Sequence, residues 1–467
     1  MALNLFTLGY LIACICVVIL LPLVITGLLY LLYIAYIRLK FAHMPGPKYS
    51  SFFFGNLADV KRGFADGKTF PTIVYEWSQK YGRVFTFAVL HETYVMISDV
   101  VAVKHLLVTV NCPKGARPYD TLGTIYGQRF MGHGLVSERC HEKWAKRRAI
   151  INPAFHRRFL RLSMDQFNAS VDMLIGKLKQ KADGKSTVSM LEEFYRLGLE
   201  IIGKYNPWSR GHREEVRAAV KFLRKTGRDV VEKRLAARLN GEEMKEDDVL
   251  GYILKASDYL KNPEFQMEDV VDDFVTFFLA GQETTANTAA FMLMELVRNP
   301  DILERVREEI KDVLCGRMEV KFEDLAKFSY MSQVVKETLR MYPTAPVVPR
   351  FLEKEETVAG FRIPANSSIT IDLFSMARHE GYFEDADTFN PDRFNGDEAI
   401  IPNTSIPFSM GPRNCIGQNF AQIEIKVIFA KLLPLFDFSW IPGQSYDIGE
   451  SGTLKPKEGC QNYITLR

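Results

Sequence analysis

The chain has 467 residues, with 59 Lys and Arg against 56 Asp and Glu, and 47% of its residues are hydrophobic. A net charge of +3 argues against a general role in nucleic-acid binding. The 33 Phe and 19 Tyr exclude a disordered chain, because they can fill a core. The length allows two or three domains or one large enzyme domain. The seven cysteines form no Cys-x-x-Cys pair, which argues against a zinc site or a disulfide scaffold and favours a reducing compartment for the body of the chain.

The first 37 residues contain no Asp, Glu, Lys, Arg or His and are almost wholly apolar from residue 11 onward. A bilayer core requires about 20 apolar residues in a helix, so this run predicts one transmembrane helix within an N-terminal anchor of residues 1–43. Two short spans are disfavoured because no polar loop separates the halves, and a signal peptide is disfavoured because no small-residue cleavage site is evident. Arg38, Lys40 and Lys48 follow the run, and the positive-inside rule then predicts a cytosolic location for the remaining chain.

The body of the chain is predicted to begin at residue 44, with a Met-Pro-Gly-Pro segment (44–47) that cannot continue a helix. This segment is either a stiff elbow that sets the body against the membrane or an ordinary linker. The β-branched and aromatic residues of 84–97 predict a hairpin, and residues 357–374 have a similar composition with turn signals at Gly360 and at 364–366. Helical periodicity predicts helices that include 160–182, 213–238, 267–298, 301–314, 330–341 and 416–436. We therefore expect one large α+β domain over residues 44–467, mainly α with small β-sheets.

The most informative stretch runs from Phe408 to Gly417, between a proline-rich loop and a helix predicted from about residue 416. A cysteine just before a helix lies near the positive end of the helix dipole and near free N–H groups, and both favour a thiolate. We therefore predict a stabilised thiolate at Cys415, whereas the other six cysteines are expected to be inert. Gly411 and Gly417 leave room for a flat ligand, and Phe408 can cover the sulfur. Arg413 supplies a positive charge suited to an acidic group on that ligand.

The spacing Phe-x-x-Gly-x-Arg-x-Cys-x-Gly in this stretch resembles the signature of the cytochrome P-450 family, the haem-thiolate monooxygenases. The resemblance extends from the elbow at 45–47 nearly to the C-terminus. It implies the fold of that family, haem (iron protoporphyrin IX) as the cofactor, and Cys415 as the axial ligand of the haem iron. A thiolate ligand donates electron density to the iron, which suits oxygen activation.

A second string, Ala280-Gly281-Gln282-Glu283-Thr284-Thr285, lies within the apolar helix predicted at 267–298. An acid and a hydroxyl in an apolar helix are costly unless they are hydrogen-bonded. Gly281 weakens a helix by about 1 kcal/mol relative to Ala, which predicts a local opening of the helix. A threonine bonded back to its own turn is the alternative. The string resembles the oxygen-activating helix of the family, which implies that Glu283 and Thr284 relay protons and that the opening at Ala280 and Gly281 faces the haem.

Glu337 and Arg340 resemble the Glu-x-x-Arg pair of the same family. The spacing alone is common, because ordinary exposed i,i+3 pairs also have it. We assign the family's pair to Glu337 and Arg340 because they precede a Tyr-Pro pair and the segment 389–394. That segment resembles the family's Pro-x-Arg-Phe element, and its Arg393 would complete a buried Glu–Arg–Arg cluster with a structural role, bracing the cysteine loop.

Trp144 and Arg148 are four residues apart and therefore share a helix face. They resemble the family's Trp-x-x-x-Arg pair, which implies that Trp144, Arg148 and Arg413 bind the haem propionates, with Arg350 as a further candidate. Three neighbouring cations form either a solvated face or a docking patch for an acidic electron donor: Lys143, Lys146 and Arg147.

Three strings, at 134–138, 322–325 and 420–422, resemble those of cholesterol 24-hydroxylases, a subgroup of the family. This similarity implies a sterol-like or other bulky apolar substrate. Near residues 203–206 the chain lacks a segment that family members carry, which forms the roof of the substrate pocket and its membrane-facing entrance. A splice form, a gene-model error or a genuinely altered pocket would each explain a missing segment.

The resemblance thus implies a membrane-anchored monooxygenase of the endoplasmic reticulum that inserts one oxygen atom from O2 into a C–H bond of a lipophilic, sterol-like substrate. Electrons would come from a separate NADPH-dependent flavoprotein reductase, because the sequence has no Gly-rich dinucleotide motif. Alternatives within the family are a fatty-acid or xenobiotic hydroxylase and a haem-thiolate isomerase or dehydratase. A further alternative is a non-catalytic haem-binding variant, disabled by its shortened roof.

Overall fold

The computed structural model of the protein describes residues 5–196, 210–240, 250–251, 254, 266–396 and 401–467. The helices are α1 (Leu5–Lys40), α2 (Leu57–Ala65), α3 (Phe70–Tyr81), α4 (Val100–Lys104), α5 (Ala116–Gly123), α6 (His141–Ile151), α7 (Arg157–Leu162), α8 (Met164–Lys179), α9 (Met190–Arg196), α10 (Arg210–Leu239), α11 (Met267–Arg298), α12 (Pro300–Leu314), α13 (Ser329–Met341), α14 (Leu373–Met376) and α15 (Gln418–Leu432). A π-helical turn lies at His105–Thr109, and 3-10 turns lie at Asn152–Phe155, Phe322–Ala326 and Pro391–Phe394.

The strands are β1 (Val84–Val89), β2 (Glu92–Ile97), β3 (Thr124–Ile125), β4 (Gln128–Arg129), β5 (Asp183–Ser189), β6 (Val347–Leu352), β7 (Glu356–Val358), β8 (Phe361–Ile363), β9 (Ser367–Asp372), β10 (Phe436–Trp440), β11 (Ile448–Glu450), β12 (Leu454–Pro456) and β13 (Gln461–Leu466). Their shortness beside the helices confirms the predicted fold class, mainly α with small β-sheets.

The predicted elements agree closely with the observed ones. The hairpin expected at 84–97 is β1–β2, with Val84 opposite Ile97. The region 357–374 divides into the hairpin β7–β8 and the separate strand β9. Helix α11 has the predicted limits, whereas the helix predicted at 416–436 ends at Leu432, just before Pro434, which has no N–H to donate.

The chain forms two compact units, one of residues 1–99 and 351–370 and the other of residues 100–350 and 371–467. The domain limits predicted from the sequence, 1–43 and 44–467, stay a prediction. The first unit contains α1 to α3, strands β1 and β2, residues 351–352 of β6 and residues 367–370 of β9. The four strands form one sheet in the order β1-β2-β9-β6.

Helix α1 is the helix, among the described residues, that is long and apolar enough to cross a membrane, over Val17–Lys40. Its residues 17–29 are exposed, whereas Ile34 and Arg38 nearer its C-terminal end are buried. Its C-terminal end is attached to the rest of the first unit, since Lys40 Nζ donates to the Ala365 carbonyl at 2.7 Å and Tyr30 hydrogen-bonds to His91 at 3.0 Å.

The Met-Pro-Gly-Pro segment lies directly against β1, as a stiff elbow does. The N–H of Thr86 donates to the Pro45 carbonyl at 2.8 Å. A Cβ added at Gly46 would lie 2.0 Å from the Thr86 carbonyl oxygen, so only glycine permits this approach.

The second unit is built around α11, whose residues Thr285–Leu296 are all buried. A three-stranded sheet in the order β10-β13-β5 and the hairpin β11–β12 also belong to this unit. The segment predicted to be missing near residues 203–206 lies outside the described residues. All the side chains of the candidate site lie in this second unit.

Candidate functional site

The cysteine loop, residues 401–417, enters α15 through Gly417, which caps the helix. Within the loop the N–H of Cys415 donates to the Phe408 carbonyl at 2.9 Å. Gly411 has a φ of +77°, and a Cβ there would lie 2.2 Å from the backbone oxygen of Leu107. The loop is therefore packed so closely on the π-helical turn at 105–109 that glycine is required at this position.

The sulfur of Cys415 is open on one side and enclosed on the others. The residue is accessible to solvent, yet burial by the surrounding protein raises the pKa of its thiol. The N–H of Gly417 and the charge of Arg148 lower that pKa by less than burial raises it. The N–H at the start of α15 thus favours the thiolate as predicted, but in the polypeptide alone desolvation exceeds this effect and that of Arg148. A metal ion coordinated by Cys415 would supply the missing positive charge, since a metal-bound thiol is deprotonated.

Arg148 of α6 joins this helix to the cysteine loop. Its Nη1 donates to the Asn414 carbonyl at 2.8 Å, and its Nη2 donates to the Asn414 side-chain oxygen at 3.1 Å. Its Nε donates to Asn152 at 2.7 Å. Burial lowers the pKa of the guanidinium, and Cys415 partly offsets this effect. Arg148, predicted to bind a haem propionate, thus lies close enough to Cys415, the predicted iron ligand, for the two charges to interact.

Arg413 and Trp144 are in direct contact, with the guanidinium carbon 4.3 Å from the ring centroid. Trp144 is buried. Arg413 also donates to the carbonyls of Glu138 and Arg139, at 2.7 and 3.1 Å. Burial, and next the charge of Arg350, lower the pKa of Arg413 to about 10. A site that disfavours a cation this strongly is ready to receive an anion.

Arg350 is also buried, and its Nη1 donates to the Tyr119 hydroxyl at 3.3 Å and to the Pro349 carbonyl at 2.9 Å. Lys114 is a fourth cation, which the sequence did not predict, and it pairs with Arg350 in an isolated β-bridge. Burial, Arg413 and Arg350 hold the pKa of Lys114 well below its usual value. No motif marks Lys114 in the sequence, so the tertiary fold alone reveals it.

These four cations fit an acidic, flat ligand. Glu138 is the carboxylate whose charge raises the pKa of both Lys114 and Arg413. The four cations therefore outnumber the negative charge that opposes them. Buried cations are rare unless they are paired. Haem has two propionates and an iron that a cysteine can ligate, and the cations and Cys415 match both features.

Helix α11 is continuous through Ala280 and Gly281, so the predicted local opening is not present in this structure. The hydroxyl of Thr284 donates to the Ala280 carbonyl at 2.6 Å, and that of Thr285 donates to the Gly281 carbonyl at 2.7 Å. Gly281 is exposed, and among the described residues no atom outside its own helix turn would lie within 4 Å of an added Cβ. This face of α11 therefore has room for a ligand without a helix break.

Glu283 does not contact Thr284 in this structure. Its Oε1 accepts the hydroxyl of Thr453 at 2.6 Å. Burial raises the pKa of the Glu283 carboxyl, while the Thr453 bond and the charge of Lys455 lower it. The two predicted proton-relay residues are thus neighbours on one helix that hold different partners.

The structure brings Glu337, Arg340 and Arg393 together in the expected cluster. Arg340 donates twice to Glu337, at 2.7 and 2.8 Å, and Arg393 Nε donates to it at 3.0 Å. Glu337 and Arg340 are fully buried. Their role in bracing the cysteine loop stays a prediction.

Arg147 is not part of a solvated or docking face, which corrects one of the sequence expectations. Its guanidinium is buried and lies 2.5 Å from Asp269 and 3.7 Å from Asp273, both on α11. Lys143 and Lys146 are exposed. The choice between a solvated face and a docking patch for an acidic electron donor therefore concerns Lys143 and Lys146 alone.

Comparison with known proteins agrees with this geometry. The sequence profile of the cytochrome P-450 family matches residues 44–206 and 204–461. The chain is 28% identical over 454 residues to cytochrome P-450 4d2 of Drosophila melanogaster, covering 84% of this chain and 88% of that protein. It is 29% identical over 436 residues to a cytokinin hydroxylase of Arabidopsis thaliana (85% and 83%), and 28% identical over 381 residues to the 11-oxo-beta-amyrin 30-oxidase of Glycyrrhiza uralensis (71% and 72%).

The profile covers most of the chain and includes every residue placed in the site above. The protein therefore belongs to the cytochrome P-450 family of haem-dependent monooxygenases.

Proposed function

We propose that this protein is a membrane-anchored haem-thiolate monooxygenase of the endoplasmic reticulum that hydroxylates a lipophilic, sterol-like substrate. The observation that carries the proposal is the bond from Arg148 to the Asn414 carbonyl, which joins the buried cations to the cysteine loop. One bound group with acidic edges and a central metal would satisfy both parts of the site.

The residues that would hold the haem follow from this arrangement. Cys415 would ligate the iron, and the cations would bind the propionates: Lys114, Arg148, Arg350 and Arg413. When bound, the haem supplies the oxygen-activating chemistry. The chain supplies the iron ligand and the orientation of the haem.

Proton delivery is assigned to Glu283 and Thr284. Both are half-buried on α11, and Thr284, three residues after Gly281, lies on the face that has room for a ligand. Burial brings the pKa of Glu283 closer to the working pH, which suits a group that must both take up and release a proton. Thr284 can donate a hydroxyl proton once it releases the Ala280 carbonyl.

A lipophilic substrate is supported by the membrane anchor and by the relatives. Helix α1 is long and apolar enough to anchor the first unit in a bilayer, where apolar compounds would concentrate. Relatives named for 11-oxo-beta-amyrin and for carotene act on bulky apolar compounds. The resemblance of three strings to cholesterol 24-hydroxylases narrows the proposal to sterols. Fatty acids and xenobiotics are the alternative within the family.

We further propose that the roof segment is absent near residues 203–206. The family profile matches in two pieces that meet at 204–206, which supports this proposal. An alignment 454 positions long that covers only 84% of this chain also implies gaps within the chain. A shortened roof would admit water and divert reducing equivalents to hydrogen peroxide, which a measurement of peroxide released per NADPH would detect. Tight coupling would argue against an opened pocket.

The first experiment is the reduced carbon-monoxide difference spectrum of the full chain in membranes. A red-shifted Soret band in the wild type, absent in Cys415→Ala, is the expected result, and a panel of sterols with an NADPH-dependent flavoprotein reductase would then identify the substrate. A Cys415→Ala protein with a normal thiolate spectrum would refute the ligand assignment. Haem binding without turnover on sterols, fatty acids or xenobiotics would instead favour a non-catalytic variant.

A further inference from the structure

A line of three hydrogen-bonded side chains ends on Glu283. The hydroxyl of Tyr195, on α9, donates to the side-chain oxygen of Asn287, on α11. The amide nitrogen of Asn287 donates to the Thr453 hydroxyl at 2.9 Å, and Thr453 in turn donates to Glu283 at 2.6 Å. The line therefore links α9, α11 and the turn between β11 and β12, and Thr453 is its contact with the carboxylate.

Every bond in this line is donated toward Glu283. The Asn287 side chain accepts with its oxygen and donates with its nitrogen, so its orientation is set by the two neighbours. Because the side-chain N–H of Asn287 donates to the Thr453 hydroxyl, that hydroxyl has its own proton free to donate to the carboxylate. Because a side-chain amide does not carry protons from one neighbour to the next, the line holds Glu283 in place and does not conduct protons to it.

The centre of the line is buried, and two titratable groups act on its end at Glu283. Asn287 is fully buried, and Tyr195 is held on its other side by Gln282, whose side chain donates to the Tyr195 carbonyl at 2.6 Å. The titratable groups that act on Glu283 are Lys455 of β12 and Tyr195. Burial and the nearby Glu283 raise the pKa of Tyr195, so its phenol stays a donor at neutral pH.

We propose that Thr453, backed by Asn287 and Tyr195, is a positioning residue that orients Glu283 and sets its proton affinity. This inference rests on the proposed role of Glu283 in proton delivery. Thr453 stabilises the ionised carboxylate, which opposes the effect of burial, and it holds the side chain away from Thr284 until a proton is required. Loss of the Thr453 hydroxyl leaves Glu283 protonated over a wider pH range.

The test is an infrared titration of Glu283 in the haem-loaded, full-length chain reconstituted in membranes. The carboxyl band of Glu283 is identified by its loss in Glu283→Gln. In Thr453→Val the side chain keeps its shape but loses the donor, and the titration midpoint should rise by about one pH unit, the size expected for one hydrogen bond to a charged group. Tyr195→Phe should shift the midpoint in the same direction by less.

Thr465→Val is the matched control, because it removes an exposed threonine hydroxyl from β13 in the same unit. Its midpoint should equal that of the wild type. An unchanged midpoint in Thr453→Val would overturn the proposal, and so would an equal shift in Thr465→Val. Failure of the proposed function is detected by a separate measurement, in which the wild type shows no reductase-dependent NADPH oxidation. The titration of Glu283 can still be measured in that case.

Discussion

Arg148 donates to the backbone carbonyl of Asn414 across 2.8 Å, which connects helix α6 to the residue directly before Cys415. The same guanidinium lowers the pKa of the Cys415 thiol, although by less than burial raises it. One side chain thus contributes to the geometry of the loop and to the charge balance of the sulfur.

Replacing Arg148 with Ala should reduce the haem bound per chain. The change removes two hydrogen bonds to Asn414 and one buried cation, and a charged hydrogen bond contributes about 1.5–3 kcal/mol, so retention should weaken roughly tenfold or more. Haem content per protein after gel filtration measures the effect. Lys143→Ala, an exposed cation on the same helix, should retain the wild-type content. Equal haem loss in both variants would contradict the assignment.

Replacing Gly411 with Ala should destabilise the cysteine loop more than a left-handed backbone alone explains. An alanine at a φ of +77° costs about 1–2 kcal/mol, and its Cβ would also lie 2.2 Å from the Leu107 oxygen. Gly443→Ala is the matched control, because Gly443 has a φ of +84° and, in the described part of the chain, nothing beyond its chain neighbours would lie within 4 Å of the added Cβ. Thermal unfolding of both variants isolates the cost of the contact. The same loss of Tm in both would mean that the loop can move away from Leu107.

Replacing Thr284 with Ala should lower hydroxylation far more than it lowers haem content. The hydroxyl is assigned to proton delivery, so its loss should also raise the peroxide released per NADPH. Thr285→Ala removes an equivalent hydroxyl, which bonds back to Gly281 in the same way, and should leave the ratio of activity to haem unchanged. Matching losses in the two variants would show that the back-bonded hydroxyls act only through helix structure.

Replacing Asp273 with Asn should stabilise the protein at high pH. Burial raises the pKa of Asp273 to about 7, whereas an unfolded Asp titrates near 3.9. The stability contributed by this raised pKa is complete below about pH 4 and is lost as the pH rises through about 7. Asparagine remains neutral throughout and can still accept the N–H of Leu135. We expect the variant to gain roughly 2 kcal/mol over the wild type at about pH 8 and little at about pH 4.

Chemical or thermal unfolding of the wild type and Asp273→Asn across this pH range measures the difference. Arg147 retains its second partner, Asp269, at 2.5 Å in the variant. A difference in stability that does not vary with pH would show that Asp273 stays ionised in the folded protein.

Elements and motifs whose information is local could be predicted from the amino-acid sequence. The limits of α11 follow from an uninterrupted apolar period, and the β1–β2 hairpin follows from two β-rich runs around a polar centre. The Glu337–Arg340 contact is also local, because residues three apart on a helix are neighbours. The loop around Cys415 could be found because its glycines, arginine and cysteine are close together in the chain.

Features that depend on residues distant in the chain emerge only in the folded protein. Lys114 joins the cation group through Arg350, and Thr453 reaches Glu283 across 170 positions of the chain. The pKa of the Cys415 thiol depends on desolvation by the packed fold, which outweighs the favourable start of α15. Burial and charge pairing are properties of three-dimensional neighbourhoods, so one-dimensional spacing predicts which residues can do the chemistry but not the balance of forces acting on them.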